Sequence, residues 1–306
     1  MIVLLATQKP FSKEAVARIR QIIESAGHEL RVLEKYADEK ALLVAVKDID
    51  ALIVRSDLVT TKVVTTAKKL KIVVRAGAGY DNVDLAACSK RGIVVMNTPG
   101  QNSNAVAELA IGLMIYSARN LYQPGTGTEL RGRSLGLQAF GHVGKRVASH
   151  ANGLGMKVYA YDPYVGNEIM REYDVEPVAR LEELYQLSDY LSLHIPALPG
   201  TIASVGYEII SKLPQGATLL NTARKEIIDE PGLHKALAER PDLFYVADVM
   251  PDTYEELLVT FPGRVYATPK KMGAETAEAN AGAGSAAAEQ IVAFFTTGNT
   301  KFQVNN

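Results

Sequence analysis

The sequence predicts an α/β protein built from two doubly wound domains with parallel sheets. Three observations carry this. Short runs rich in Val, Ile and Leu alternate with longer helical patterns almost throughout. The alternation restarts after the Gly- and Thr-rich stretch at 125–128, and a strand–turn–helix glycine signal opens the second series.

Element by element, residues 2–6 (IVLLA) read as a first strand and 12–26 as an amphipathic helix. Strands follow near 30–34, 51–54 and 71–74, separated by helical segments. A long helix is predicted from Ser103, a good cap, to about Ser117. The second series has strands at 134–138, 157–161, 189–193, 217–220, 243–247 and 264–267, with a helix from about residue 142. The last helix, Thr276 to Phe295, is rich in Ala, so it can lie close against its neighbours. Domain boundaries are expected at 1–98 plus 276–306 for one domain and 99–275 for the other.

Composition narrows the function. Hydrophobic residues make up 47% and charged residues 22% of 306, an ordinary globular balance that excludes a disordered or fibrous chain. Lys plus Arg number 33 against 34 Asp plus Glu, so no broad basic field exists for nucleic acid. Cys88 is the only cysteine, which rules out an internal disulfide and a cysteine zinc cluster, and no metal site is expected. No apolar run approaches a membrane span, and the start lacks a basic n-region. A cytoplasmic location is the expectation.

The segment LGLQAFGHVGKRVA (135–148) supplies the main cofactor signal. A strand entering a helix through Gly141 and Gly144 suits a pyrophosphate, because the helix N-terminus offers unpaired N–H groups and a positive dipole end. Phe140, His142 and Val143 complete that turn. The first glycine of the usual G-x-G-x-x-G is replaced by Ala139. Asp162 ends the next strand, about twenty residues past the turn. There it can accept from both ribose hydroxyls and would repel a 2′-phosphate, which favours NAD over NADP.

Further motifs occur in order: VVRAGAGYDNVD (73–84), VMNTPGQNSNAVAELAIGLM (95–114), LSLHIPAL (191–198), LLNTARKEIIDE (219–230), ADVM (247–250) and ATPKKMGAETAEANAGAG (267–284). Together they resemble the D-2-hydroxyacid dehydrogenase family over essentially the whole chain, and within it the short, lysine-bearing form that acts on 3-phosphoglycerate. The resemblance implies two Rossmann-like domains, a substrate-binding and an NAD-binding one. It also implies NAD-dependent oxidation of 3-phospho-D-glycerate to 3-phosphohydroxypyruvate, the first step of phosphorylated serine synthesis. A glyoxylate or hydroxypyruvate reductase is the nearest alternative, and a non-catalytic NAD-sensing module the more distant one.

Residue by residue, the resemblance makes Arg224 the clamp on the substrate carboxylate and carbonyl, a task that suits a two-pronged guanidinium. The backbone amides of Ala76, Gly77 and Ala78 would hold the carboxylate, while Arg55, with Ser56 beside it, would reach the phosphate. Cofactor contacts are implied for His194, Ile195, Pro196, Thr222, Ala223, Arg224, Asp248, Gly273 and Ala274. The family's usual acid–base histidine is replaced by lysine: counting back from Gly273 selects Lys271, and counting forward from Pro269 selects Lys270. Lys271 is preferred. The position of the histidine's usual glutamate partner falls near Thr253, so a carboxylate partner is expected to be missing. The helix after Asn102 resembles the family's pairing element, which implies a homodimer. The chain's stop after KFQVNN implies no regulatory domain and no feedback inhibition by serine through one.

Overall fold

The computed structural model describes residues 1–305. The chain divides into two compact units, Met1–Asn102 with Glu275–Asn306, and Ser103–Ala274. The expected crossing points are 98/99 and 275/276, and this division runs at 102/103 and 274/275. Pro99 and Gln101 stay with the first unit, where they line a cavity with Glu289 and Gln290.

In the first unit the order is β1 (Ile2–Thr7), α1 (Lys13–Ser25), β2 (Glu29–Glu34), α2 (Glu39–Ala45), β3 (Ala51–Val54), α3 (Thr61–Thr66), β4 (Ile72–Arg75), α4 (Leu85–Lys90) and β5 (Val94–Asn97). The second unit runs α5 (Ser103–Ala118), β6 (Ser134–Gln138), α6 (His142–Gly153), β7 (Lys157–Tyr161), α7 (Asn167–Arg171), β8 (Glu176–Pro177), α8 (Leu181–Gln186) and β9 (Tyr190–Leu193). It continues through α9 (Tyr207–Ile210), β10 (Thr218–Asn221), α10 (Glu230–Glu239), β11 (Phe244–Ala247), α11 (Tyr254–Thr260) and β12 (Val265–Ala267). α12 (Ala277–Thr297) returns the chain to the first unit.

Unit 1 holds a five-stranded parallel sheet in the order β2-β1-β3-β4-β5. Its middle strands are apolar apart from Thr7 and Arg75 at the ends of β1 and β4, because helices cover both faces. Val3, Leu5 and Ile53 pack toward α1 and α12, while Leu4, Leu52 and Val73 pack toward α2, α3 and α4. The small residues of α12 have a defined use: a Cβ on Gly284 would come within 2.8 Å of Ile19 on α1. Thr276 caps that helix by accepting from Ala279 N at 3.1 Å, and Gly298 ends it at φ +70°.

Unit 2 holds seven parallel strands in the order β12-β11-β10-β9-β6-β7-β8. In each sheet the chain first winds outward on one side and then restarts on the other. The reversal lies between β1 and β3 in unit 1 and between β6 and β9 in unit 2. At such a point the loops leaving the strand ends diverge and open a crevice, where ligands of open α/β sheets bind.

Candidate cofactor and substrate sites

The turn after β6 sits at unit 2's reversal point. Ala139 takes φ +83°, a left-handed conformation that costs an alanine energy, and its N–H donates to Tyr161 O at 2.9 Å. A Cβ on Gly144 would come 2.6 Å from the Ala139 carbonyl oxygen, so this glycine lets α6 lie on the turn. Gly141 has no such constraint, since a Cβ there would meet open space. It caps α6 without a side chain, leaving room over the first N–H groups of the helix at His142, Val143 and Gly144. Phe140 is fully buried beneath.

Asp162 holds this turn. One carboxylate oxygen accepts from Phe140 N at 2.8 Å and the other from Tyr164 N at 2.9 Å. Each oxygen keeps a lone pair for an outside donor. Across the crevice, the residues after β9 begin with His194, whose N–H donates to Gln138 O at 2.9 Å. Burial pushes the His194 imidazole down to about 4, and its Nε2 has no partner among the described residues. Thr222 Oγ1 is likewise buried and unpartnered. Ile195 and Ala223 pack on the core edge, and Pro196 O accepts the Thr201 hydroxyl at 2.5 Å. The set fits a dinucleotide: open helix amides for an anion, a carboxylate for hydroxyls, and orphaned polar atoms beside it.

The loops after β10, β11 and β12 carry the candidate chemistry. Asn221, fully buried, shapes the first: its Oδ1 accepts from Ala223 N at 3.0 Å and its Nδ2 donates to Arg224 O at 2.8 Å. The Ala223 carbonyl oxygen in turn accepts from two side chains. Arg224 Nη1 donates to it at 2.9 Å and Lys271 Nζ at 3.2 Å. Lys271 is therefore brought to Arg224, and its side chain is exposed.

Asp248 is fully buried, and its carboxylate serves the neighbouring loop. One oxygen accepts from the Thr268 hydroxyl at 2.8 Å and Met272 N at 2.7 Å, and the other from Gly273 N at 2.8 Å. A Cβ on Gly273 would come 2.9 Å from that second oxygen. Asp248 thus grips the loop on both sides of Lys271, a positioning task where the sequence suggested direct cofactor contact. Ala274 ends the unit at half-exposure. Thr253 carries no carboxylate, and its hydroxyl donates to Glu230 Oε2 at 2.5 Å. Glu230 also accepts from the Asp252 and Thr253 amides, at 2.8 and 2.9 Å.

In unit 1, Arg55 follows β3 at the reversal point and is half-buried. Its guanidinium donates to Lys9 O at 3.3 Å and to Asn280 Oδ1, and stands 5.1 Å from the Phe11 ring centroid. These partners are neutral, so its charge is not cancelled. Ser56 beside it is exposed.

The 76–78 loop corrects one expectation. Ala76 N already donates to Val54 O at 2.8 Å, extending the sheet, and Gly77 N donates to Arg75 O at 2.9 Å. Ala78, exposed and with its own carbonyl held by Asn97 Nδ2 at 2.6 Å, is the member whose amide is left for a ligand. Gly77 stands at φ +146°, and a Cβ there would overlap the Arg75 guanidinium. Arg75 was missed by the sequence reading although it opens the RAGAG motif. Its Nε donates to Arg55 O at 2.9 Å, so its side chain lies across the same loops.

A model of the D-isomer specific 2-hydroxyacid dehydrogenase catalytic domain matches residues 3–305. The chain is 36% identical to a D-3-phosphoglycerate dehydrogenase of Methanocaldococcus jannaschii over 95% of its own length, and spans 57% of that relative. It is 36% identical to a hydroxypyruvate reductase of Thermotoga maritima, covering 92% of this chain and 95% of that one. The crystal structure of NAD+-bound 3-phosphoglycerate dehydrogenase from Entamoeba histolytica superposes with a TM-score of 0.89 at 48% identity, covering 100% of this chain and 99% of that one. Among the described residues no helix is long and apolar enough to cross a membrane.

Proposed function

Because the chain belongs to the D-isomer specific 2-hydroxyacid dehydrogenase family, we propose that it oxidises 3-phospho-D-glycerate to 3-phosphohydroxypyruvate with NAD. Unit 1 acts as the substrate-binding domain and unit 2 as the NAD-binding domain. The pyrophosphate is held on the open amides at His142, Val143 and Gly144, and the adenosine ribose by Asp162. Ile195, Pro196, Thr222, Gly273 and Ala274 flank the rest of the cofactor. When bound, NAD supplies the acceptor for the hydride from C2.

The chain's own residues supply the remainder. Arg224 grips the substrate carboxylate and polarises the C2 oxygen, with the Ala78 amide as a second donor. Lys271, as a neutral amine, takes the C2 hydroxyl proton, so the C2–O bond becomes a carbonyl as the C2–H bond is given up. Arg55 takes the phosphate. The observation that carries the substrate choice is the Arg55 guanidinium, held by neutral partners at the reversal point of the unit 1 sheet. An uncancelled cation there suits a dianionic group. The protein acts in the cytoplasm as a homodimer paired through α5, whose Ile115 is 37% exposed. Light scattering of the purified protein reads that state.

The similarity to a hydroxypyruvate reductase supports a second reading, in which the substrate carries no phosphate. NADH absorbance across 3-phospho-D-glycerate, D-glycerate, hydroxypyruvate and glyoxylate separates the two. The proposed reading requires preference for the phosphorylated acid and an Arg55→Ala variant whose KM for it rises at least about tenfold. Equal KM in that variant removes Arg55 from the phosphate site.

A further inference from the structure

We propose that Asp57 and Tyr36 are positioning residues for the anion site: they fix the Arg55 loop and keep a nearby carboxylate off the Arg55 guanidinium. The idea rests on the phosphate-binding role proposed for Arg55. The relevant loops follow β1, β2 and β3, and so flank the reversal point of the sheet. Asp57 joins all three. Its Oδ1 accepts from Gln8 N, after β1, and from the Tyr36 hydroxyl, after β2, each at 2.7 Å. Its Oδ2 lies 3.4 Å from Arg55 N, after β3. The Asp57 backbone carbonyl is held in turn by Asn82 Nδ2 at 2.7 Å, which also reaches Arg55 O at 3.3 Å.

The electrostatics make this arrangement unusual. Asp57 is 4% exposed, and a carboxylate so buried ordinarily draws in a cation. Arg55 is two residues away with its charge uncancelled, yet the two side chains form no ion pair: the guanidinium is turned to Lys9 O, Asn280 and Phe11. Rotating the carboxylate toward it would break two hydrogen bonds and leave Gln8 N and the Tyr36 hydroxyl unpaired. Tyr36 is a dependable donor, because burial and then its bond to Asp57 hold its hydroxyl protonated well beyond the ordinary tyrosine range. The carboxylate therefore organises the loop without neutralising the cation it organises.

Removing the tyrosine hydroxyl loosens one of the two donors on Oδ1 and lets the carboxylate reach Arg55. Tyr36→Phe should raise the KM for 3-phospho-D-glycerate and its calorimetric Kd about fivefold, with kcat and the KM for D-glycerate within about twofold. Adding Asp57→Asn to Tyr36→Phe removes the competing charge while keeping an acceptor for Gln8 N, so the double variant should return toward the wild-type KM. A purely structural role would make the double variant worse than either single one. Asp57→Asn alone, which keeps the shape, completes the cycle, and its thermal unfolding checks that the fold is kept. Arg55→Ala is run alongside. If it leaves the phosphorylated substrate unaffected, both the Arg55 role and this inference fall. If it raises that KM while Tyr36→Phe does not, or if the double variant is not restored, the inference alone is overturned.

Discussion

Ala139 holds a conformation that glycine would adopt freely, so Ala139→Gly is expected to stabilise unit 2. The residue stands at φ +83°, at the position where the dinucleotide fingerprint has its first glycine. A left-handed alanine costs about 1–2 kcal/mol relative to its ordinary regions. Replacement by glycine releases that strain but loosens the unfolded chain, which costs about 0.4–1 kcal/mol. The difference leaves a gain of about 1 kcal/mol. The backbone bonds are untouched, because the Ala139 N–H to Tyr161 O bond and the close seat of Gly144 on the Ala139 carbonyl involve no side chain at residue 139. For a domain of this size the gain corresponds to a rise in Tm of about 2–4 °C. Thermal unfolding followed by circular dichroism, with urea midpoints as a second measure, reads it directly. A lower Tm in the glycine variant would mean that the alanine methyl packs usefully and that strain at this turn is not what limits it.

Two further predictions concern unit 2. Lys271→Ala should lower kcat by about 10²–10⁴-fold while NAD binding, followed by calorimetry, is kept, and Lys270→Ala should retain most activity. The reverse ranking would transfer the proton-accepting role to Lys270. His194, pushed down to about 4 from 6.5 by burial, makes stability depend on pH in one direction. The unfolded chain takes up the proton first, so the contribution of the neutral ring is complete above pH 6.5 and drains away as pH falls toward 4. Urea midpoints measured across that window should fall less steeply in His194→Gln than in the wild type, and parallel curves would show that this ring does not set the slope.

The alternating strands and helices were legible because parallel strands buried on both faces read as unbroken apolar runs. Strands at 51–54, 134–138 and 157–161 match β3, β6 and β7 to the residue. β5 was not read as a strand: it has four residues and merges with the VMNTPG motif, whose polar end masks it. β8 has two residues, one of them proline, and carries almost no periodic signal. The crossing from unit 1 was expected at 98/99, and Thr98, Pro99 and Gln101 line a cavity with residues of α12 before Ser103 starts the next helix.

At the candidate sites, motifs pointed to particular side chains but not to their wiring. NTAR and the lysine pair pointed to Arg224 and Lys271, yet only the folded chain brings both onto the Ala223 carbonyl. Asn280 contacts Arg55 across 225 residues of sequence, a distance no local pattern spans. Nor could spacing reveal that the amides of Ala76 and Gly77 are committed to backbone bonds.

What this wiring achieves is a separation of charge. The carboxylates of Asp57, Asp162 and Asp248 are held by N–H and O–H donors, while the guanidinium groups of Arg55 and Arg224 rest on neutral oxygens. Direct ion pairs would be the simpler way to hold five such groups, but each would cancel a cation before the proposed anionic substrate arrived, and the ligand would then have to break it. Neutral acceptors orient a guanidinium without cancelling its charge. The same residue types arranged as surface salt bridges would give this composition and these motifs with little power to bind the doubly charged acid proposed as substrate, so the choice of hydrogen-bond partner is what keeps Arg55 and Arg224 available for that proposed role.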